Sequence, residues 1–210
     1  MRSKSSHMQA DFPHRFFMAA MLGSSMVPVS KSNRQGSARS VPKANTKHDL
    51  TRMAELVAFT ARSLRTPRPR AFGASIVQTK SGKVLLRALN AVAQEIDPSS
   101  HAEVRAIRKA TKRLKQISLA GYTLYTTCEP CPMCMSTALW AGLDRVVYGA
   151  TIEDANRHCQ QIHIAATEVA ERSDMTCIVD GPLLRDECYA LFTHPAMLKA
   201  FRLWSTRKRR

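Results

Sequence analysis

The chain has 210 residues, 44% of them hydrophobic, so it can bury a core and its composition excludes a protein that is disordered throughout. No apolar run approaches the ~20 residues of a membrane-spanning helix, because Gly23 and Pro28 interrupt the longest one, at 16–29. The net charge is +16, but most of it lies in residues 1–48 and in the last four residues, so it does not indicate a basic core built around nucleic acid.

The two ends of the chain differ from its centre. Residues 1–48 carry eight Lys or Arg and one acid, are rich in Ser, Gln and Asn, and show no sustained hydrophobic period. We predict a basic, disordered extension over 1–48, a folded domain over 49–206 and a basic tail at 207–210. Such ends are typical of solvated tails that aid solubility, and contact with RNA is the alternative.

The predicted elements alternate between helices and strands. Apolar residues recur at spacings of three and four after Asp49, which predicts a helix that Asp49 caps and that ends before Pro67. β-Branched and aromatic runs predict strands at 72–78, 83–89, 122–127, 145–149 and 176–179, the first two forming a hairpin. Further helices are predicted at 101–115, 130–141, 160–172, 183–192 and 196–206. This order predicts an α/β sandwich with a mixed sheet.

Two short motifs place candidate metal ligands at the starts of two predicted helices. His101 and Glu103 lie near the start of one helix, and Cys131-Pro-Met-Cys134 opens the other. One imidazole and two thiolates form a three-ligand set, which is typical of catalytic zinc because structural sites close with four protein ligands. Free backbone N–H groups at a helix start also stabilise a thiolate. The two motifs therefore indicate a catalytic zinc site.

Glu103 is predicted to move protons rather than to bind the metal. A carboxylate beside a water that zinc activates can take a proton from it and pass the proton on. Each motif alone has other interpretations, since a C-x-x-C pair is as often a redox or structural pair and an H-x-E match is common. Together, in this order and both at helix starts, they indicate a zinc-dependent hydrolase.

The stretch His101-Ala-Glu103, followed by Thr127-Cys-Glu-Pro-Cys-Pro-Met-Cys134, resembles the zinc-dependent cytidine deaminase superfamily, and within it the branch that acts on purines. The resemblance covers residues 50–150 well and the remainder thinly. It implies a three-layer α/β/α sandwich with a mixed sheet of about five strands, hydrolytic deamination of a purine-type base or nucleoside, and a homodimer. It also implies one Zn²⁺ per chain, held by His101, Cys131 and Cys134, with Glu103 as the proton shuttle.

Three further positions are expected to contact the substrate by the same resemblance. Asn90 matches the family position whose side chain hydrogen-bonds the base, and its amide offers both a donor and an acceptor. Phe72 and Gly73 match the family's Pro-Phe-Gly, but in this chain Ala71 stands in place of the proline. The backbone near Ala102 is expected to help orient the ring.

The choice of substrate depends on weaker signals. Trp140 stands where guanine-deaminase-like members carry Trp, and its indole could stack on a free base, although a core aromatic residue is the alternative interpretation. Residues 184–192 and the basic end instead resemble the C-terminal helix of tRNA adenosine deaminases, but the glycine-rich insertion of those enzymes is missing. We expect guanine as the first substrate, tRNA adenosine as the alternative and a non-catalytic zinc module as a third possibility.

Cysteine usage predicts the compartment. Six cysteines would suit disulfides in a secreted protein, but Cys131 and Cys134 have metal-ligand spacing, which favours a reducing compartment such as the cytoplasm and no membrane contact. His158, Cys159 and His163 could form a second metal site, although ordinary helix residues are the favoured interpretation.

Overall fold

The computed structural model of the protein describes residues 47–207, with side chains up to Trp204. These residues belong to one compact unit, Val41–Arg210. Nearly all of the predicted extension over 1–48, and three residues of the predicted tail, 208–210, lie outside the described residues. No helix among the described residues is long and apolar enough to cross a membrane.

Five strands form one mixed sheet, as predicted. Their order is β2-β1-β3-β4-β5, with β1 antiparallel to both β2 and β3, and with β3, β4 and β5 parallel. The strands are β1 Gly73–Gln78, β2 Val84–Leu89, β3 Tyr122–Cys128, β4 Arg145–Ala150 and β5 Ile178–Asp180. The predicted hairpin is therefore present, and each predicted strand agrees with an observed one to within two residues.

Eight α-helices are present in the described part of the chain. They are α1 Lys47–Arg62, α2 Val92–Glu95, α3 Ala102–Leu114, α4 Pro132–Trp140, α5 Ile152–Asn156, α6 Ala166–Glu171, α7 Arg185–Thr193 and α8 Pro195–Arg207. Pro132 occupies the first turn of α4, where its missing N–H costs nothing. Gly142, with a φ of +64°, lies just after the same helix and adopts the left-handed conformation that ends helices.

The helices cover both faces of the sheet, which confirms the three-layer α/β/α sandwich. Successive residues of a strand point to opposite faces. Tyr125 and Val147 pack into a core with α1, α7 and α8, whereas their chain neighbours Leu124 and Val146 pack into a second core with α3, α4 and α6. The start of α3 therefore lies on the same face of the sheet as α4.

The predicted helix at 160–172 is wrong in its extent. A short helix, α5, starts earlier because Thr151 forms a capping box with Asp154: each side chain accepts a hydrogen bond from the other residue's backbone N–H. Residues 157–165 are not helical, and α6 begins only at Ala166, whose backbone N–H donates to Glu129. Local periodicity does not reveal these helix boundaries, because the Thr151 capping box and the hydrogen bond from Ala166 to the distant Glu129 carboxylate determine them.

Asp49 is not the helix cap that the sequence predicts, because α1 begins at Lys47 and Asp49 lies in its first turn. Its carboxylate is buried and pairs with Arg145 of β4 at 2.9 Å, with both side chains 3% exposed. Arg145 also donates to Asp180 of β5, and the Tyr125 hydroxyl donates to Asp49. One buried ion network therefore joins α1 to three strands.

Breaking this network should destabilise the fold. Asp49→Asn keeps the shape but leaves the buried Arg145 with one carboxylate instead of two, so the free energy of unfolding should fall by roughly 3 kcal/mol in urea titrations. Glu168→Gln is the control, since its i,i+4 pair with Arg172 is exposed and should change stability by less than about 0.5 kcal/mol. Equal effects from both variants would show that the buried network does not stabilise the protein.

Candidate active site

Two helix starts bring the three predicted metal ligands together. His101 immediately precedes α3, and Cys131 immediately precedes α4, with Cys134 in the first turn of that helix. His101 Nδ1 lies 3.7 Å from Cys131 Sγ and 3.5 Å from Cys134 Sγ, and the two sulfur atoms lie 3.6 Å apart. Among the described residues, this is the one group of three or more His, Cys, Asp and Glu side chains that could hold a metal ion.

The separations between these atoms fit zinc. Tetrahedral Zn²⁺ with Zn–S bonds of about 2.3 Å and a Zn–N bond of about 2.0–2.1 Å requires ligand atoms roughly 3.5–3.8 Å apart. All three observed separations lie in that range. Three protein ligands leave a fourth position for water or substrate, as in catalytic zinc sites.

The electrostatics of the group favour a thiolate. The hydrogen bond between the two sulfur atoms lowers the pKa of the Cys131 thiol and raises the pKa of Cys134, because the two sulfurs share one proton. The hydrogen bond with Cys131 raises the pKa of His101. The start of α4 adds backbone N–H groups and the positive end of the helix dipole, which also favour negative charge on sulfur.

Glu103 lies in the first turn of α3 and is nearly fully buried, with 4% of its surface exposed. Its Oε1 accepts a hydrogen bond from the Thr126 hydroxyl of β3 at 3.1 Å. Burial raises the pKa of the Glu103 carboxyl, and the nearby His101 opposes that shift. The structure thus places an acid next to the metal group without making it a member of that group.

A cavity of about 420 Å³ opens onto these side chains, and we call it the active-site cavity. His101, Glu103 and Cys131 line it together with Phe72 and Asn90. The cavity is large enough for a purine ring, and it combines apolar walls with a few polar groups, as small-molecule sites do.

Phe72 and Asn90 lie side by side, just before β1 and just after β2, where these two strands pair. The backbone N–H of Asn90 donates to the Phe72 carbonyl at 3.0 Å, and the Phe72 ring packs on Phe192 with 5.0 Å between centroids. Asn90 Oδ1 accepts from the Val92 N–H at 3.2 Å. The amide oxygen keeps a second lone pair and the amide nitrogen keeps its two N–H donors, so the expectation that this side chain offers both a donor and an acceptor stays a prediction.

Ala102 and Trp140 do not line the active-site cavity. The Ala102 side chain is fully buried, and only its backbone N–H, at the first position of α3, remains available for a ligand. Trp140 ends α4 and is 76% exposed, so in this chain its indole neither walls the cavity nor packs in the core. Helical spacing could not separate these alternatives, because they depend on which face of α4 the sheet covers.

Sequence reasoning missed residues that reach the cavity from distant parts of the chain. Trp204 of α8 lines it, and so do Cys159, Gln160, Gln161 and Ile162 of the segment between α5 and α6. No local motif marks these positions, because tertiary packing alone carries them to the site. The aromatic identity of Trp204 was the one available signal.

Glu129, between β3 and α4, also lines the cavity and was missed. Its carboxylate accepts from the backbone N–H of Ile152 and from that of Ala166, which begin α5 and α6. This buried acid therefore fixes the loop that carries Cys131 against two neighbouring helix starts.

The second metal site considered for His158, Cys159 and His163 is not formed, because these residues make no metal-binding group among the described residues. His158 Nε2 instead hydrogen-bonds the Tyr189 hydroxyl at 3.2 Å, and its ring stacks on Phe201. These contacts give His158 a packing role, but the favoured interpretation of these residues as ordinary helix residues is wrong, because residues 157–165 are not helical.

A His/Cys/Cys metal group with an adjacent buried Glu, on two helix starts, is the arrangement that zinc-dependent deaminases carry. The family described as the cytidine and deoxycytidylate deaminase zinc-binding region matches residues 44–150, and the chain belongs to this family. Zinc is the cofactor of this family, and the donor set above fits it.

Individual relatives are similar over parts of the chain. Guanine deaminase from Bacillus subtilis is 48% identical over 84 residues, which are 40% of this chain and 53% of that protein, so the chain spans about half of its length. A solved structure from a study of A-to-I editing by tRNA:A34 deaminases is 28% identical, with a TM-score of 0.57 over 67% of this chain and 99% of that one.

The fold is also that of guanine deaminase from Nitrosomonas europaea. Its TM-score is 0.62 at 22% identity, over 72% of this chain and 83% of that chain. The comparisons therefore include both guanine and tRNA adenosine deaminases.

Removing one ligand should remove the metal. Zinc-loaded wild-type protein should contain about one zinc per chain, and Cys134→Ala should lose nearly all of it, because only two protein ligands remain. Cys177→Ala is the matched control, since Cys177 is a partly buried cysteine outside the group. Metal analysis after dialysis measures both, and full zinc content in Cys134→Ala would show that the ligand set is wrong.

Proposed function

We propose that the protein hydrolytically deaminates a purine-type base or nucleoside, with guanine as the first ring to test. The observation that carries the proposal is the position of the buried Glu103 carboxylate beside the His101/Cys131/Cys134 group, in a cavity of about 420 Å³. A purely structural zinc site has no use for an acid at that position. The family match and the similarity to a guanine deaminase support the same activity.

Each residue has a defined part in the proposed reaction. His101, Cys131 and Cys134 hold the metal, which when bound supplies Lewis-acid activation of a water molecule. Glu103 accepts a proton from the attacking water and delivers it to a ring nitrogen; it then passes the proton of the added hydroxyl to the amino group, which leaves as ammonia when the C–N bond breaks. The Thr126 hydroxyl donates to Oε1 of Glu103 and so fixes the carboxylate in one orientation.

The ring is proposed to bind between the apolar and polar walls of the cavity. The Asn90 amide is proposed to hydrogen-bond the purine edge: its N–H groups can donate, and its oxygen, which accepts one bond from Val92, keeps a second lone pair. The backbone N–H of Ala102 lies at a helix start and has no acceptor within its helix. Phe72, braced by Phe192, supplies a rigid apolar wall. Trp140 contributes nothing to this site within one chain, because it is exposed.

Glu103→Gln should separate metal binding from turnover. The amide keeps the shape of the side chain but cannot accept the proton, so ammonia release should fall by roughly 10²–10⁴-fold while zinc content stays at about one per chain. Glu153→Gln, which changes an exposed acid on α5, should leave both unchanged. Retained turnover in Glu103→Gln would sink the assignment of the proton shuttle.

The substrate is tested by ammonia release from zinc-loaded protein that is offered guanine, guanosine, adenine, cytosine and an anticodon stem-loop carrying adenosine. We expect turnover of guanine or guanosine. Turnover of the stem-loop alone would instead establish the tRNA enzyme. If all five gave no ammonia while zinc was bound, the guanine assignment would fail, and the site would either act on an untested ring or have lost its chemistry, as in a non-catalytic zinc module.

The tRNA adenosine deaminase remains a second candidate because of two observations. The chain carries a net charge of +16, and the tRNA:A34 deaminase structure is similar over nearly its full length. Binding through Lys and Arg to phosphates weakens steeply with salt, whereas turnover of a small base does not. The slope of activity against salt concentration therefore separates the two candidates.

A homodimer and a cytoplasmic location belong to the same proposal. The 76% exposed indole of Trp140 is a large apolar group for a protein surface, which supports its burial against a second copy. Thiolate ligands require reduced cysteines, which supports a reducing compartment such as the cytoplasm. Sedimentation velocity tests the dimer.

A further inference from the structure

A second cavity adjoins the active-site cavity, and we call it the side cavity. Its volume is about 240 Å³, and it lies between the 67–72 segment, α2 and α8. Four residues line both cavities: Phe72, Asn90, Val92 and Trp204. The two cavities therefore adjoin along these four side chains.

The side cavity carries positive charge that no salt bridge neutralises within residues 47–207. Arg68 and Arg70 line it, and no Asp or Glu does. Neither arginine forms a salt bridge within the described residues. A third arginine close by, Arg105, differs because Glu95 pairs with it at 2.6 Å.

The environment of Arg70 is the strongest indication that the side cavity binds an anion. Its Nε is buried and has no hydrogen-bond partner. Among the described residues, two other arginines, Arg52 and Arg87, also have a buried Nε without a partner, but the rest of each guanidinium pairs with Glu55. Burial lowers the pKa of Arg70, and the positive charges of Arg105 and Arg68 lower it further. An anion beside Arg70 would accept a hydrogen bond from the buried Nε and would offset the repulsion from the neighbouring positive charges.

The backbone that carries the two arginines is held in position before any ligand arrives. The Ser63 hydroxyl accepts from the Arg70 backbone N–H at 3.1 Å and donates to the Arg70 carbonyl at 2.7 Å. Pro67 and Pro69 flank Arg68 and fix two of the backbone φ angles. A segment fixed in this way loses little conformational entropy on binding.

We propose that the side cavity is a phosphate subsite: a purine nucleotide places its base in the active-site cavity and a phosphate group against Arg68 and Arg70. The proposal rests on the proposed function and extends it from the ring to the rest of the substrate. Guanidinium groups bind phosphate through paired N–H donors, which suits the unpaired Arg70. The phosphate belongs either to a mononucleotide or to the backbone of an RNA strand, since both present the same group.

The test measures binding rather than turnover, so that it does not depend on the reaction. The zinc-loaded full chain carrying Glu103→Gln is titrated calorimetrically at low ionic strength with inorganic phosphate, guanosine, adenosine, their 5′-monophosphates and an anticodon stem-loop. The same titrations are made after adding Arg68→Gln and Arg70→Gln together. Arg65→Gln is the matched control, because it removes the same charge from a nearby exposed arginine outside the cavity.

A 5′-monophosphate should bind at least about tenfold more tightly than its nucleoside. That preference should disappear in the double variant, with nucleoside affinity unchanged, and persist in Arg65→Gln. Arg68→Gln alone, at an exposed position, should reduce the preference even if loss of Arg70 impairs folding. If only the stem-loop loses affinity in the double variant, the phosphate is that of an RNA strand and the subsite stands.

The outcomes also separate this inference from the proposed function. Equal binding of nucleoside and monophosphate, with stem-loop binding unaffected by the double variant, would overturn the phosphate subsite even if guanosine is turned over. Arg68- and Arg70-dependent binding of inorganic phosphate, without binding or turnover of any purine, would retain the subsite and reject the purine deaminase.

Discussion

The chemistry of this protein depends on one geometric constraint, which is that the starts of α3 and α4 meet on the same face of the sheet. His101 and Glu103 come from the first helix start, and Cys131 and Cys134 come from the second. The parallel pairing of β3 with β4 sets the direction in which the chain enters α4, and the antiparallel pairing of β1 with β3 sets the position of the strands before α3. Helix starts also provide the N–H groups and dipoles that thiolates require, so the same geometry assembles the ligands and favours their charged form.

Two buried side chains, Glu129 and Thr126, fix the relative positions of the starts of α3 and α4. Glu129 bonds the first residue of α5 and that of α6, and so pins the loop that leads into Cys131. Thr126 on β3 reaches Glu103 on α3 from the side of the sheet. Buried polar groups are costly unless every bond is made, and here their bonds span elements that are far apart in the chain. The active site is consequently connected to the folding of the whole sandwich rather than to one loop.

The sequence predicted what is local and missed what is tertiary. The ligands and Glu103 were identifiable because their spacing within each motif is short and each motif starts a helix. Trp204, Gln161 and the extent of α6 were not, because the packing of α8 and the bonds of Glu129 determine them. Trp140 is a further example. Its position in the helix is compatible with a cavity wall or with the core, but in the fold its side chain is exposed.

The placement of the two tryptophans gives the protein a built-in optical signal. The chain contains only Trp140 and Trp204. Trp140 is mostly solvated, whereas Trp204 lines both the active-site cavity and the side cavity. With Trp140 replaced by Phe, all indole emission would originate where the two cavities join. Occupancy of the cavities would then change the fluorescence of a single residue, and ligands could be followed in real time without any label or any chemical turnover.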